Sequence, residues 1–503
     1  MLSYIFVLFP FLVGVSAAND WSVPCINGVC QYDLPGNASA ASGSLKIWGS
    51  TDAITDITTA ADWQILDCNS TALAQDIRLV CMNDPAQPDS KCGHLYQNIG
   101  AVNKIVRLPE NCGASAFARV AKAWVPEDQS IPAHVQARLV RRAGAQPVVK
   151  ALHIDTDFDA ADWSKTGMVN IAIQGANVPG TPTDVVTPGS RARRASRRGL
   201  GDFLHGAIDF ANKTIDVNKN FDLPPLTFDK SVNLLDSSVS CLGESLSLSV
   251  DMEGSANMQA ILSVAALGTI IPPKITQFSI SAVMSGTVGG TLQMTADATG
   301  SITSGKVPLV NIGIPGLDFP GILTIGPSFQ VDALVEGEVD VTMDMTLGVS
   351  LDLSNATVAF PPASGSGGAP DESAFTLGDT PVTLNAAADV QATGTITAHV
   401  IPSLNLGVSA LGGKGEASIF LALDASAAMT MNLDGTTDDT ATTDTDDDST
   451  DDGTDDSTDD GTSDTTPAST LGGCINVAGN INVNVGADGS FFGTFISPAL
   501  SHH

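Results

Sequence analysis

Arginine disappears from this sequence after residue 198. Up to that point 17 Lys and Arg balance 17 Asp and Glu. Beyond it six Lys stand against 38 acids, so the whole formal charge of −32 sits in the second part. A polyanion of this kind is repelled by phosphate backbones and by acidic lipid surfaces, which excludes nucleic acid as a partner. Tryptophan is also absent after residue 163, and the inward positions of the later part are mainly Ala, Gly, Val, Leu and Met. No uninterrupted apolar run reaches the ~18 residues that a membrane helix needs, and no membrane span is expected. Missing too are CxxC and HxxxH pairs, a G-x-S-x-G elbow, a zincin helix and a phosphate loop. Zinc is thereby disfavoured as a reading of the cysteines, and no signature of the readily recognised hydrolase and nucleotide-binding classes is present.

What is present begins with a leader. Residues 1–17 hold an apolar stretch ending in Val15-Ser16-Ala17, small residues of the kind a signal peptidase accepts, although no Lys or Arg precedes it. A secreted protein, extracellular or in the cell wall, is expected. Cysteine usage agrees. Cys25, Cys30, Cys68, Cys81, Cys92 and Cys112 form an even set, and Cys241 and Cys474 a second, so each part can be oxidised by itself. Spacing alone does not choose among the 15 pairings of the first six. Asn-x-Ser/Thr sequons at Asn37, Asn69, Asn212 and Asn355 fit glycosylation on the same route.

Residues 18–180 are expected to form a small disulfide-bonded mixed α/β domain holding Trp21, Trp48, Trp63, Trp124 and Trp163. Helical spacing is visible at 114–124 and 132–142, and strand-like runs at 77–81, 148–154 and 168–173. The tryptophans are read as core, with a carbohydrate-stacking platform as the alternative. Asp155, Asp157 and Asp159 have the alternate spacing that can wrap Ca²⁺. Ala160 replaces the glycine of such a loop and no Glu follows at position twelve, so a solvated turn is favoured. Ca²⁺ is the one cofactor for which the sequence offers ligands; otherwise none is expected. Residues 181–200 read as a basic linker, rich in Pro, Gly and Thr before its arginines. Arg194 and Arg198 close pairs of basic residues suited to a processing protease, and the first domain would then be a pro-region or a detached subunit.

From 201 to 433 the pattern changes to long alternation. The organising stretch is 331–353, where odd positions such as Val331, Val335, Val339, Met345, Leu347 and Leu351 are apolar. Asp332, Glu336, Glu338, Asp340 and Asp344 occupy even ones. Period two means a strand with one dry and one wet face, and the unchanged parity forbids a two-residue hairpin inside it. Bends or bulges are expected at Gly337 and Gly348. Similar alternation runs through 246–264, 278–298, 384–400 and 417–433, whereas Pro308, Pro315, Pro320 and Pro327 mark a crossover or edge. The implied architecture is an extended antiparallel β-sandwich or barrel with long strands. Residues 434–470, dominated by Asp, Thr and Ser, are expected to be disordered. Residues 471–503 are expected to return as a strand, tethered if Cys241 and Cys474 pair.

Three stretches carry a resemblance: Cys25-Ile-Asn-Gly-Val-Cys30-Gln-Tyr-Asp-Leu-Pro; His94-Leu-Tyr-Gln-Asn-Ile-Gly-Ala-Val with Arg107-Leu-Pro-Glu-Asn-Cys112-Gly; and Pro320-Gly-Ile-Leu-Thr-Ile-Gly-Pro327-Ser-Phe. The chain resembles secreted, functionally uncharacterised fungal proteins that carry a β-rich domain of unknown function. The resemblance implies a fungal extracellular origin and brings no catalytic residue. The expected function is a non-catalytic extracellular protein of cell wall or matrix, carbohydrate-binding or adhesive, with cell-wall polysaccharide as partner. Two alternatives stand beside it. One is a carrier with an apolar ligand such as lipid between its sheets. The other is a secreted glycoside hydrolase using carboxylates among Asp332, Glu336, Glu338, Asp340 and Asp344.

Overall fold

The computed structural model describes residues 19, 21–34, 41–84, 87, 89–139, 147–178, 223–241, 244–360, 374–385, 392–413, 415–436, 470–491, 494–496 and 500–502. The leader at 1–17, the linker at 181–200 with Arg194 and Arg198, Asn37, Asn212 and nearly all of the acidic segment lie outside these residues.

The first part opens with a hairpin, β1 (Val29–Leu34) and β2 (Ser42–Trp48). Then follow β3 (Ile54–Asp56), β4 (Trp63–Asp67), β5 (Gln75–Cys81), β6 (Ile105–Arg107) and β7 (Phe117–Trp124). A single turn of helix α1 (Ala133–Gln136), β8 (Lys150–Asp155), a second turn α2 (Trp163–Thr166) and β9 (Val169–Ala176) complete it. Six of these strands make one sheet in the order β3-β6-β7-β8-β5-β4, with β3 and β6 parallel. The helix expected at 114–124 is a strand, β7. Phe117, Ala118, Arg119 and Val120 are all buried in the middle of the sheet, and a run covered on both faces lacks the alternation that separates strand from helix. The helix expected at 132–142 contracts to α1, with Pro132 as its cap rather than its first helical residue.

The second part comprises β10 (Leu226–Cys241), β11 (Glu244–Ile271), β12 (Pro273–Thr303), β13 (Val307–Gly313), β14 (Leu317–Phe319) and β15 (Leu323–Phe360). After it come β16 (Phe375–Leu377), β17 (Val382–Asn385), β18 (Ala392–Ala410) and β19 (Gly415–Thr436). The chain closes with β20 (Thr470–Phe491), β21 (Thr494–Ile496) and β22 (Leu500–His502). The path β9-β11-β12-β15-β18-β19-β20 is antiparallel throughout. The fold is mainly β, as the alternation requires.

β15 is its spine, 38 residues without a break. One edge takes β14, β13 and β12 in turn, and the other takes β18, β17 and β16. The Pro-rich stretch is therefore not a plain crossover. Its short strands β13 and β14 fill the edge of β15 that β12 leaves open. Along the spine Val331, Val335, Val339, Leu347 and Leu351 are buried, while Glu336, Glu338, Asp340 and Asp344 face solvent.

Neither Gly337 nor Gly348 carries a bulge, since the register runs unbroken through both. A Cβ at Gly337 would stand 2.3 Å from the Thr395 carbonyl oxygen, and one at Gly348 2.6 Å from Pro381 Cδ. These glycines admit a close neighbour instead. In the β11–β12 and β12–β15 pairings the irregularities lie between Leu267 and Gly268 and between Met284 and Gly286. Parity explains the first. β11 and β12 both bury even positions, yet they join through a two-residue turn that sets Ile270 opposite Pro273. Skipping one residue at Gly268 restores even to even.

The large sheet folds over on itself. Met252 of β11 and Gly290 of β12 meet Val400 of β18, whose Cγ2 lies 3.0 Å from where a Gly290 Cβ would stand. Where Leu262, Val264, Ile280 and Leu406 converge, the space left is about 20 Å³, roughly one water. The first part joins the same sheet: β9 pairs with β2 on one side and with residues 263–271 of β11 on the other. Leu45, Ile47, Phe158 and Ile173 share one core with Leu317, Phe319 and Val331. Strand pairing thus continues across the linker that marked a boundary in the sequence.

Candidate functional site

Two of the five tryptophans meet at one cavity in the first part. β3 ends at Asp56, whose carboxylate is buried and bonded at both oxygens. Oδ1 accepts the Thr58 N–H at 2.7 Å; Oδ2 accepts the Cys25 N–H at 3.0 Å and Arg107 Nε and Nη2 at 3.0 and 2.6 Å. Arg107 Nη2 also donates to the Val23 carbonyl at 2.7 Å, and its guanidinium carbon lies 5.0 Å from the Trp21 ring centroid. One buried ion pair thereby fixes both the chain that carries Trp21 and the turn that leads to Trp63. In that turn Thr58 Oγ1 accepts the Ala60 N–H and starts a short 3-10 segment. Asp62, left-handed at φ 64°, ends it, and Trp63 opens β4.

The other wall is placed by a disulfide. Cys68–Cys112 ties the residue after β4 to the loop after β6, which carries Pro109, Glu110 and Asn111. The result is an open cavity of about 430 Å³ lined by Trp21, Trp63, Thr58, Gln64, Glu110 and Asn111, with apolar atoms of Ile57, Ile65 and Pro109. Pockets that hold small ligands start at about 300 Å³.

Trp63 is 3% exposed and its Nε1 has no hydrogen-bond partner. An indole N–H only donates, and leaving it buried without an acceptor costs about 1–3 kcal/mol. Tyr96 holds the Trp63 ring by an edge contact, centroids 6.3 Å apart, and desolvation pushes the Tyr96 phenol up to about 12. Trp21 is half-buried and its Nε1 donates to Glu110 Oε1 at 3.1 Å. Burial, and after it the charge of Glu110, raises the Tyr32 phenol. Among the lining residues there is one carboxylate and neither histidine nor lysine. A glycosidase-type acid and base pair is not assembled here.

The remaining tryptophans lie elsewhere. Trp48 packs beside Ala172 and Ala265, Trp124 lies under Lys122 Nζ at 5.0 Å, and Trp163 is 56% exposed. The five do not form one platform. Spacing marked the tryptophans but gave no sign of Gln64, Glu110 or Asn111, which the disulfide and the strand pairing bring to the rim.

At Asp155, Asp157 and Asp159, whose spacing reads as a solvated turn with Ca²⁺ as the alternative, the leading carboxylate has a protein partner. Both Asp155 oxygens bond Arg119, at 2.9 and 2.6 Å, and Oδ1 also accepts the Asp157 N–H. A guanidinium already neutralises the carboxylate that would lead the ligand set, and among the described residues no three His, Cys, Asp or Glu side chains gather into a metal-holding group.

The first six cysteines pair as Cys25–Cys30, Cys68–Cys112 and Cys81–Cys92. Cys474, expected to pair with Cys241, is a free, exposed thiol on β20; the side chain of Cys241 lies outside the described residues. Asn69 is exposed, its Oδ1 accepting the Thr71 N–H and hydroxyl at 2.9 Å each; Asn355 is exposed at φ 56°. Of the spine carboxylates, Glu336 lies 3.7 Å from His399 Nε2, whose Nδ1 is 2.7 Å from Asp424. The rest are spread along an exposed strand face rather than around a cleft.

Residues 215–448 match the family model of a domain of unknown function, DUF7223. That match begins ahead of β10 and ends beyond β19, so the tryptophan cavity lies outside it. No curated protein and no solved structure matches the chain. Among the described residues no helix is long and apolar enough to cross a membrane.

Proposed function

We propose that this is a secreted, non-catalytic extracellular protein that binds a saccharide of the cell wall or matrix in the Trp21–Trp63 cavity. The observation that carries the reading is the mixture of groups around the cavity: the half-buried Trp21 ring, the Glu110 carboxylate and the side-chain amides of Gln64 and Asn111. A sugar ring presents an apolar face to an aromatic plane and hydroxyls around its edge, which matches that mixture of groups. The single carboxylate of the rim supports binding rather than hydrolysis. The leader-like residues 1–17 and the sequons support export to a place where such a partner is met. Where Leu262, Val264, Ile280 and Leu406 converge the space is about 20 Å³, too small for an apolar ligand at that point.

The test is a glycan and polysaccharide binding screen on the secreted protein, followed by titration of the best ligand. Asn111→Ala removes one side-chain amide from the rim and keeps both tryptophans. It should weaken binding by about 2- to 12-fold, the worth of one hydrogen bond. Trp21→Ala should weaken it further. A screen without a saccharide ligand, or variants that bind as the parent does, would remove the reading. Release of reducing ends from the bound glycan would replace it with hydrolysis.

A further inference from the structure

We propose that residues 21–178 are held to the long-stranded body by strand pairing and shared core, so that a cut in the 181–200 linker leaves a stable two-chain complex. The proposal is independent of what the cavity binds. Among the described residues every disulfide lies between Cys25 and Cys112, and none crosses to the second part. What crosses is backbone. β9 is an inner strand, laddered to β2 through Ser42–Trp48 and to residues 263–271 of β11, so removing it would open a sheet edge on each side.

Both faces of that strand are covered. Ile171 and Ile173 point into the main core, and Ala172 packs with Ala265, Leu267 and Trp48. Leu317 of β14 seats directly over two glycines of the first part: a Cβ at Gly43 or Gly175 would lie 2.5 or 2.7 Å from its methyl carbons. Just past β9, Asn177 extends the ladder with its side chain. Nδ2 donates to the Ala260 carbonyl and Oδ1 accepts the Leu262 N–H, both at 2.8 Å, and the Asn177 N–H donates to the Leu262 carbonyl at 3.1 Å. Val178 then packs with Ile261 and Val283. The first part therefore behaves as a strand-donating subunit of the sheet, and processing at Arg194 or Arg198 would not discard it.

The experiment replaces the basic linker of the full-length protein with the recognition sequence of a site-specific protease. After cleavage, native mass spectrometry and size-exclusion chromatography should show one species carrying both chains, and a denaturing non-reducing gel should show two. Separation of the chains under native conditions would overturn the proposal. In the cut protein Asn177→Ala removes two hydrogen bonds at the seam and leaves β9 intact. It should raise the dissociation rate about tenfold. An unchanged rate would overturn the assignment of this seam as the holding contact.

Discussion

Asp56 and Arg107 are the side chains on which the cavity's geometry depends, at 0% and 5% side-chain exposure. Removing one partner strands the other charge in the interior. Asp56→Ala is expected to cost about 3–5 kcal/mol of stability, measured by denaturant unfolding. It should also weaken saccharide binding, because the Trp21 wall is anchored through Arg107. Tyr96 permits a second prediction. Its phenol titrates near 12 when folded, against 10.0 in an unfolded chain. Between those values the unfolded chain has already lost a proton that the folded one keeps. Stability is therefore fully present below pH 10 and falls as pH rises toward 12. Unfolding measured from pH 9 to 12 should show that loss, and Tyr96→Phe should flatten it. Trp63 could be recognised in the sequence as a buried aromatic. Its unmet N–H could not, because satisfaction depends on neighbours brought together by the fold, such as Tyr96.

At the scale of elements, alternation decided nearly everything about the second part. Even positions face in along β11 and β12, odd ones along β15, even along β18 and odd along β19. Each change of parity corresponds to the register of the strand pair that contains it. The glycines were misread because a bulge and a close approach leave the same mark in a sequence. Substitution reads out the close approach at either kind of site. Gly268→Ala would put a Cβ 2.1 Å from the Lys274 carbonyl oxygen, and Gly337→Ala one 2.3 Å from that of Thr395. Each should lose about 1–3 kcal/mol in thermal or denaturant unfolding. At Gly313 and Gly326 a Cβ would meet nothing within 4 Å, and alanine there should change stability by no more than about 0.5 kcal/mol. The first part was harder to read. β7 is covered on both faces, and its run of Phe117, Ala118 and Val120 has no period to declare it a strand.

For the whole molecule the free thiol gives a sharp test. Cys474 should react with a maleimide in the native, unreduced protein, and peptide mapping should find the label in residues 470–491. Protection of Cys474 would restore the tether that its exposure argues against. The chain's own order of residues determined the long pleated layers, their inward and outward faces, and the even cysteine set, because periodicity and redox chemistry act locally or by count. It could not determine that β9 completes a sheet begun beyond the linker, which cysteines pair, or that Trp21 and Trp63 share a rim with Glu110. Those depend on contacts between distant segments, and only the folding of the sheet over its own core brings such segments within reach.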